Sequence, residues 1–229
     1  MKKILDHLNE NWIKYGFETF VIIIGILGAF TLNNWNEARK DWKKETALLI
    51  ELRENLIEDV SMGRKQIENQ TIIIDNLEKL VLHFESNQAY NDTLNPYVGS
   101  AGWLESFEVN VSAYESLKNT GLEKLSSATL KKEISKYYDV RVPHRSDIVD
   151  RLNVMQQESI TVQRIKAWET YEGDYQNLLV HMAGQSRLII NYLKSRISWK
   201  RNFVKDICQP NINDAQALAD LIEKELKRR

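Results

Sequence analysis

Two different hydrophobic patterns share the first 85 residues of the chain. From Phe20 to Leu32 every residue is apolar except Thr31, and no charge occurs between Thr19 and Asn36. A bilayer core of about 30 Å needs about 20 mostly apolar helical residues, with a lower limit near 17. The run reaches that length when Tyr15 to Phe17 join one end and Asn33 to Trp35 the other. Trp12 and Tyr15 then flank one interface and Trp35 the other, as aromatic anchors. The run has no polar stripe, unlike the amphipathic helix of a small soluble core. Leu32-Asn33-Asn34 is a poor leader-peptide cleavage site. The pattern predicts a transmembrane helix over residues 12–35.

The second pattern is one-sided. Leu49, Leu52, Leu56, Val60, Gly63, Ile67, Gln70, Ile74, Leu77, Val81 and Phe84 follow one another in steps of three and four. This is a heptad-like seam with Gly63 and Gln70 as its weak positions. The first proline is Pro96, so the membrane helix is predicted to run on as a stalk over 36–85, with Asn33-Asn34 as the point for a kink. The seam can face a neighbouring chain or later helices of its own chain. Ahead of the span, Ile4, Leu5, Leu8 and Trp12 share a face, which reads residues 1–11 as an interfacial amphipathic segment.

Beyond residue 85 the pattern predicts a helical bundle domain over 86–229. It opens with a loop at 86–103, rich in turn formers such as Asn91, Asp92, Pro96 and Gly99. A short helix over Val111–Lys118 should end at Gly121, a left-handed cap. Ser126 or Ser127 should cap the next one. Pro143 should interrupt it, with Ser146 or Asp147 starting a further helix that Gly173 breaks or bends. Gly184 and Ser186 allow a second break before an amphipathic helix from about Arg187 to Cys208. Pro210 ends that helix, and Asn213 or Asp214 caps the last one. Only Phe107–Val111 alternates in the manner of a strand. The fold class is therefore all-α, with an N-terminal transmembrane helix continuing into a long helix and a bundle.

Composition agrees with long solvated helices. The chain has 229 residues, 31 Lys and Arg against 32 Asp and Glu, three Pro and nine Gly. A net charge of −1 gives no electrostatic footprint for nucleic acid. One cysteine, Cys208, excludes an intramolecular disulfide and a cysteine metal cluster. The basic residues Lys2, Lys3 and Lys14 precede the span, and Arg39, Lys40, Lys43 and Lys44 follow it. That count tips toward a cytoplasmic C-terminal domain.

Within the span, Glu18 is an intramembrane acid, which is by default a functional candidate. Gly25 and Ala29 form a small-xxx-small pair that allows close helix approach. Glu18, Ile22, Gly25 and Ala29 share one face, so the acid lies on the predicted oligomerisation surface. Elsewhere His7, His83, His144 and His181 are too far apart for a ligand motif. The acid pairs Asp147/Asp150 and Glu169/Glu172 suit solvated helix faces. The aromatics Trp168, Tyr171, Tyr175, Tyr192, Trp199 and Phe203 suit core packing. Tyr90, Tyr97 and Trp103 make loop 86–103 the best candidate contact for a protein partner. No catalytic motif, phosphate loop or dinucleotide fingerprint occurs, so neither an enzyme nor a cofactor is expected.

Gly25-Ile26-Leu27-Gly28-Ala29 followed by Asn33-Asn34-Trp35-Asn36-Glu37 resembles the N-terminal signature G-I-L-x-A-x-x-x-N-N-W-N-E of a family of uncharacterised bacterial single-pass membrane proteins. Ala113-Tyr114-Glu115-Ser116-Leu117-Lys118-Asn119-Thr120-Gly121-Leu122 is similar to that family's A-[FY]-x-x-L-K-x-x-G-L segment. Leu125 to Lys131 resembles its L-I-S-[ND]-x-x-L-[RK] segment. The resemblance implies one anchor in the inner membrane and a helical domain in the periplasm, opposite to the charge count, and implies no activity. The resulting expectation is a membrane-anchored helical scaffold or interaction protein that self-associates. The alternative is a small homo-oligomeric channel or gate, with Glu18 and Asn33/Asn34 as polar rings.

Overall fold

A computed structural model of the chain describes residues 12–86, 88, 91–94, 96–97, 104–168 and 186–228. All regular structure among them is helical, as the patterning predicts. Helix α1 is Trp12–Glu85, α2 Ser112–Gly121, α3 Ala128–Ser135, α4 Val142–Trp168, α5 Ser186–Asn202 and α6 Gln209–Leu226. The interfacial segment 1–11, Gly173 and Gly184 lie outside the described residues. So do Tyr90 and Trp103 of the loop, along with Glu169, Glu172, Tyr171, Tyr175, His7 and His181.

The chain divides into two compact units, residues 1–48 and 49–229. The bundle unit therefore begins at Leu49 and not at residue 86. The reason is the seam: Leu49, Leu52, Leu56, Val60, Leu77, Val81 and Phe84 are all buried within the second unit. From Leu49 to Glu85, what reads as a stalk is one wall of the bundle. The seam is satisfied by the chain's own later helices.

In the first unit α1 is helical without interruption through Asn33 and Asn34. Thr31 returns its hydroxyl to the Leu27 carbonyl at 2.7 Å, so this polar group is satisfied within the helix. Trp12 and Tyr15 belong to the helix, but their side chains lie outside the described part.

In the second unit α5–α6 runs antiparallel to α1. Glu85 meets Lys194 at 2.6 Å, Gly63 meets Ile212, and Arg53 meets Glu223 at 2.8 Å. It is also antiparallel to α3–α4, where Arg141 reaches Asp214 at 2.8 Å. The crossover from α1 to α3 carries a short 3-10 turn at Asp92–Leu94, an extended segment over 104–111, and α2. Leu94 is buried with Leu77, Leu80, Val81, Phe84, Ile189, Leu193 and Ile197, and Tyr97 packs against them. The described part of the loop thus closes one end of the bundle. A second cluster joins Val149, Phe203, Ile207 and Cys208, with Ile67, Phe107 and Ile148 at its edge.

Local signals account for several boundaries. Gly121 ends α2 with φ 111°, a conformation glycine tolerates and other residues rarely adopt. The Ser127 hydroxyl accepts from the Leu130 amide at 3.3 Å and starts α3. Phe107–Val111 forms no strand. Its Asn110 amide is taken by the Asp59 carboxylate at 3.1 Å, leaving no ladder to join.

Pro143 and Pro210 do not end their helices. Each follows a π turn, Lys136–Arg141 and Phe203–Cys208. The Val142 amide bonds the Tyr137 carbonyl and the Gln209 amide bonds the Val204 carbonyl, both five residues back. A proline ring in an α-helix clashes with the carbonyl four residues earlier. The wider turn makes room for that ring and needs no donor from proline, so the helix continues. Ser146, Asp147, Asn213 and Asp214 accordingly lie inside helices and not at caps. Asp147 instead pairs with Arg151 at 2.6 Å, and Asp214 with two arginines.

At Gly63 α1 lies close against Ile212 of α6. A Cβ built there would stand 2.8 Å from Ile212 Cγ1, inside normal contact. Gly63→Val should therefore destabilise the bundle by about 1–3 kcal/mol, an overpacking cost. Thermal melts followed by circular dichroism would read this, and adding Ile212→Ala should restore part of the loss. An unaltered melting temperature in Gly63→Val would contradict the close approach.

Candidate functional site

Two polar clusters are built into the second unit. The first centres on Lys200 and Glu105, whose side chains are 0% exposed and meet at 2.7 Å. The same Lys200 Nζ reaches Gln70 Oε1 at 3.4 Å. Trp199 donates its indole N–H to Glu105 Oε2 at 3.3 Å. Asn153 grips the Glu105 backbone from both sides, donating to its carbonyl at 2.7 Å and accepting from its amide at 3.4 Å. The side chains come from four parts of the fold: Gln70 from α1, Glu105 from the crossover, Asn153 from α4, and Trp199 and Lys200 from α5. Arg196, one turn before Lys200, is buried as well. Burial pulls the Lys200 ammonium below the ordinary lysine range, and the Glu105 carboxylate opposes that pull. With no exposure, Lys200 is placed as a fastening and not as a nucleophile.

The second cluster lies toward the other end of the bundle. Tyr137 donates to Asn211 Oδ1 at 3.4 Å, and Arg145 donates to the same oxygen at 3.2 Å. Arg145 also pairs with Asp214, which Arg141 approaches from the adjacent turn. Tyr114 and Tyr138 stack with ring centroids 4.5 Å apart, and Tyr137 meets Tyr138 edge-on. Burial pushes the Tyr137 and Tyr138 hydroxyls upward, so both stay neutral. Asp59 completes the set at 8% exposure. Its Oδ1 accepts from the Asn110 amide at 3.1 Å, while Oδ2 is buried without a hydrogen-bond partner. Burial pushes the Asp59 carboxyl up to about 6, against an opposing pull from the Asn110 amide.

Cys208 is buried beside this cluster, and its thiol points at Gln66 Oε1 at 3.8 Å. Burial pushes it up to about 12, which keeps it a protonated, unreactive thiol. Asp59, Cys208 and Asn211 form the floor of a cleft of about 290 Å³, with exposed Met62, Lys65, Asn69 and Glu108 around its rim. No group of three or more His, Cys, Asp or Glu placed to hold a metal occurs among the described residues.

Among the described residues, nothing brings together the residues singled out in the span. Glu18, Ile22, Gly25, Ala29, Asn33, Asn34 and Trp35 are all exposed. A Cβ at Gly25 or Gly28 would meet nothing within 4 Å. The Asn33 amide donates to Glu37 Oε1 at 3.3 Å, one turn on. Of the aromatics, Phe203 is core, Tyr192 packs at its edge and Trp199 serves Glu105. His144 is exposed, and His83 lies edge-on to Phe84.

Glu105, Lys200 and Asp59 escaped the sequence reading. The stripe Ile189, Leu193, Arg196, Lys200, Phe203 and Ile207 runs in steps of three and four. Two cations inside an apolar stripe, facing a seam that contains Gln70, are a legible sign of a buried polar centre. Asp59 and Glu105 carry no comparable signal. Comparison of the chain with protein-family models, with curated proteins and with solved structures returns no match.

Breaking the buried pair from one side should cost about 3–5 kcal/mol, because the other charge stays behind. Glu105→Gln and Lys200→Met should each lower the melting temperature sharply, and the double variant should lose less than the two together. Additive losses would deny the coupling. Asp59 behaves oppositely. Its raised carboxyl favours the fold fully below its ordinary value of 3.8, and this support is lost as pH rises through about 6. Asp59→Asn retains an acceptor for the Asn110 amide and removes the buried charge. It should raise stability at neutral pH by roughly 1–3 kcal/mol, with the gain fading toward pH 4. Melting curves at several pH values would reveal an unchanging gain, which would rule out Asp59 as the group responsible.

Proposed function

We propose that the protein is a membrane-anchored helical interaction module that self-associates, and that it is not an enzyme. One observation carries this reading. The large apolar side chains from Phe17 to Trp35 are each 48–68% exposed, on every side of the helix. Burying one such side chain is worth about 1.5–3 kcal/mol, so a helix of this kind is covered by lipid or by other chains. The helix near the N-terminus is long and apolar enough to cross a membrane. Backbone polarity inside a bilayer is satisfied only by unbroken helix or closed barrel, and α1 is unbroken throughout this stretch.

Self-association follows from the small residues of that helix. Lipid supplies no hydrophobic drive between helices, so contact depends on close packing over residues such as Gly25 and Ala29. The seam, occupied within the chain, leaves this face as the main contact. The resemblance of the anchor and of 112–131 to the bacterial family supports an inner-membrane location with the bundle in the periplasm. The buried Cys208 cannot report orientation in the folded protein. Cysteines introduced near residue 4 and at exposed Val140 should do so. The Val140 site should react with a membrane-impermeant thiol reagent in intact cells, and labelling of the residue 4 site alone would reverse the orientation.

Assembly is tested by the mass of the intact complex in mild detergent. Wild type should be oligomeric at micromolar concentration, and Gly25→Leu should weaken the complex by adding bulk at the contact. A monomeric wild type would sink self-association. An equally stable Gly25→Leu complex would sink the role of this face.

A further inference from the structure

Just beyond the apolar run, α1 carries its charges in an order that an isolated helix does not favour. Residues at i and i+4 are neighbours on a helix surface, and like charges there oppose the helix. Every charged pair at that spacing between Glu37 and Glu45 is a like pair: Glu37–Asp41, Asp41–Glu45, Arg39–Lys43 and Lys40–Lys44. Opposite charges come together only three apart, at Glu37–Lys40 and Asp41–Lys44, and neither closes as an ion pair. Among the described residues, none of these four cations has an ion-pair partner. At about 100° per residue, the three acids fall on one side of α1, and Trp35, Arg39, Trp42 and Lys43 on the other. Lys40 borders the second side, and Lys44 lies beside the acids. Both cations and both indoles of the second side are exposed, Trp35 at 62% and Trp42 at 45%. The Arg39 guanidinium stands over the Trp35 ring at 5.8 Å, held against the aromatic face.

We propose that the face made by Trp35, Arg39, Trp42 and Lys43 docks the headgroups of anionic phospholipids. The two cations engage the phosphate, and the two indoles lie against the glycerol and the upper acyl chains. This rests on the membrane-anchor reading above. With Trp35 at the edge of the hydrocarbon, a rise of 1.5 Å per residue puts Arg39 about 6 Å and Lys43 about 12 Å further out. The headgroup layer adds about 5–8 Å on each side of the hydrocarbon core. Arg39 then lies within that layer, and the long Lys43 stem reaches back to its outer edge.

Lipid phosphate resolves the repulsion between Arg39 and Lys43 that the helix alone leaves standing. The acids Glu37, Asp41 and Glu45 confine the attraction to one side, so a bound lipid meets two cations and no acid. A soluble phosphate ester would use the cations but has no chains for the indoles to cover. Either orientation of the chain leaves this face at a headgroup layer.

The test is native mass spectrometry of the full chain in mild detergent, titrated separately with dioleoylphosphatidylglycerol and dioleoylphosphatidylcholine. The anionic lipid should bind about tenfold tighter or more. Arg39→Gln and Lys43→Gln should each weaken it about fivefold, the worth of one cation at a lipid surface, and leave the zwitterionic lipid unchanged. Lys44→Gln removes the same charge from the acidic side and should have little effect. All three sites are exposed and glutamine is a good helix former, so the variants should fold. Glycerol phosphate, the headgroup without chains, should not displace the lipid at equal concentration. Equal affinity for the two lipids would overturn the proposal. So would equal losses in Lys44→Gln and Arg39→Gln, which mean diffuse attraction, or displacement by glycerol phosphate, which means a soluble ligand. Flotation with phosphatidylcholine vesicles separates this failure from that of the anchor. A chain that floats and shows no lipid preference loses only the headgroup site. A chain that stays in solution without detergent and floats with no vesicle loses the anchor and the site together.

Discussion

The bundle depends on a buried ion pair between Lys200 and Glu105. Taking two charges out of water costs several kcal/mol per ion, and their attraction repays this only when geometry is good and further hydrogen bonds are made. Here the repayment is distributed. Gln70 answers from α1, Trp199 from beside the lysine, and Asn153 fixes the backbone that carries the acid. The crossover segment 104–111 has no regular structure of its own. Glu105 is what pins it between helices, and Asn110, at its far end, repeats the device on Asp59. A slip of one helical turn would bury an unpaired charge. The pair thus excludes wrong registers more than it adds stability.

Surface ion pairs contribute differently. Glu85–Lys194 and Glu78–Arg201 are well exposed, and such pairs are worth about 0–1 kcal/mol. They mark the antiparallel alignment of α1 with α5 without enforcing it. Shape enforces it at Gly63, where Ile212 occupies space that any side chain would take. The Arg145–Asp214–Arg141 group, partly buried, ties α4 and the first π turn to α6. Shape and buried charge therefore act at separate heights along the same helices.

Much of this was legible in the residues themselves. The seam from Leu49 to Phe84 names the buried face of α1 almost position by position, because apolar spacing reports burial directly. Ser127 and Gly121 were legible because capping and left-handed backbone depend on local chemistry alone. The prolines misled, since a proline's effect depends on whether the preceding turn can widen, and that is decided by packing. Asp214 misled for a related reason: an acid at a possible cap is indistinguishable from an acid awaiting arginines from another helix. Gln70 was visible as a flaw in the seam, and its partner Lys200 only as a cation in an apolar stripe. Glu105 could not be anticipated, because it follows a stretch with no period.

The π turns alter what a hydrophobic template can track. A turn closed five residues back holds one residue more than an α turn, and one residue is about 100° of helical rotation. Across the second π turn Phe203, Ile207, Cys208, Asn211, Ile212 and Ala215 are all buried, so the buried face continues past Pro210. A sequence sharing this fold without that proline would close the turn and be one residue shorter there. Aligned with this chain, it would carry its gap in the middle of a helix, where gaps are ordinarily refused.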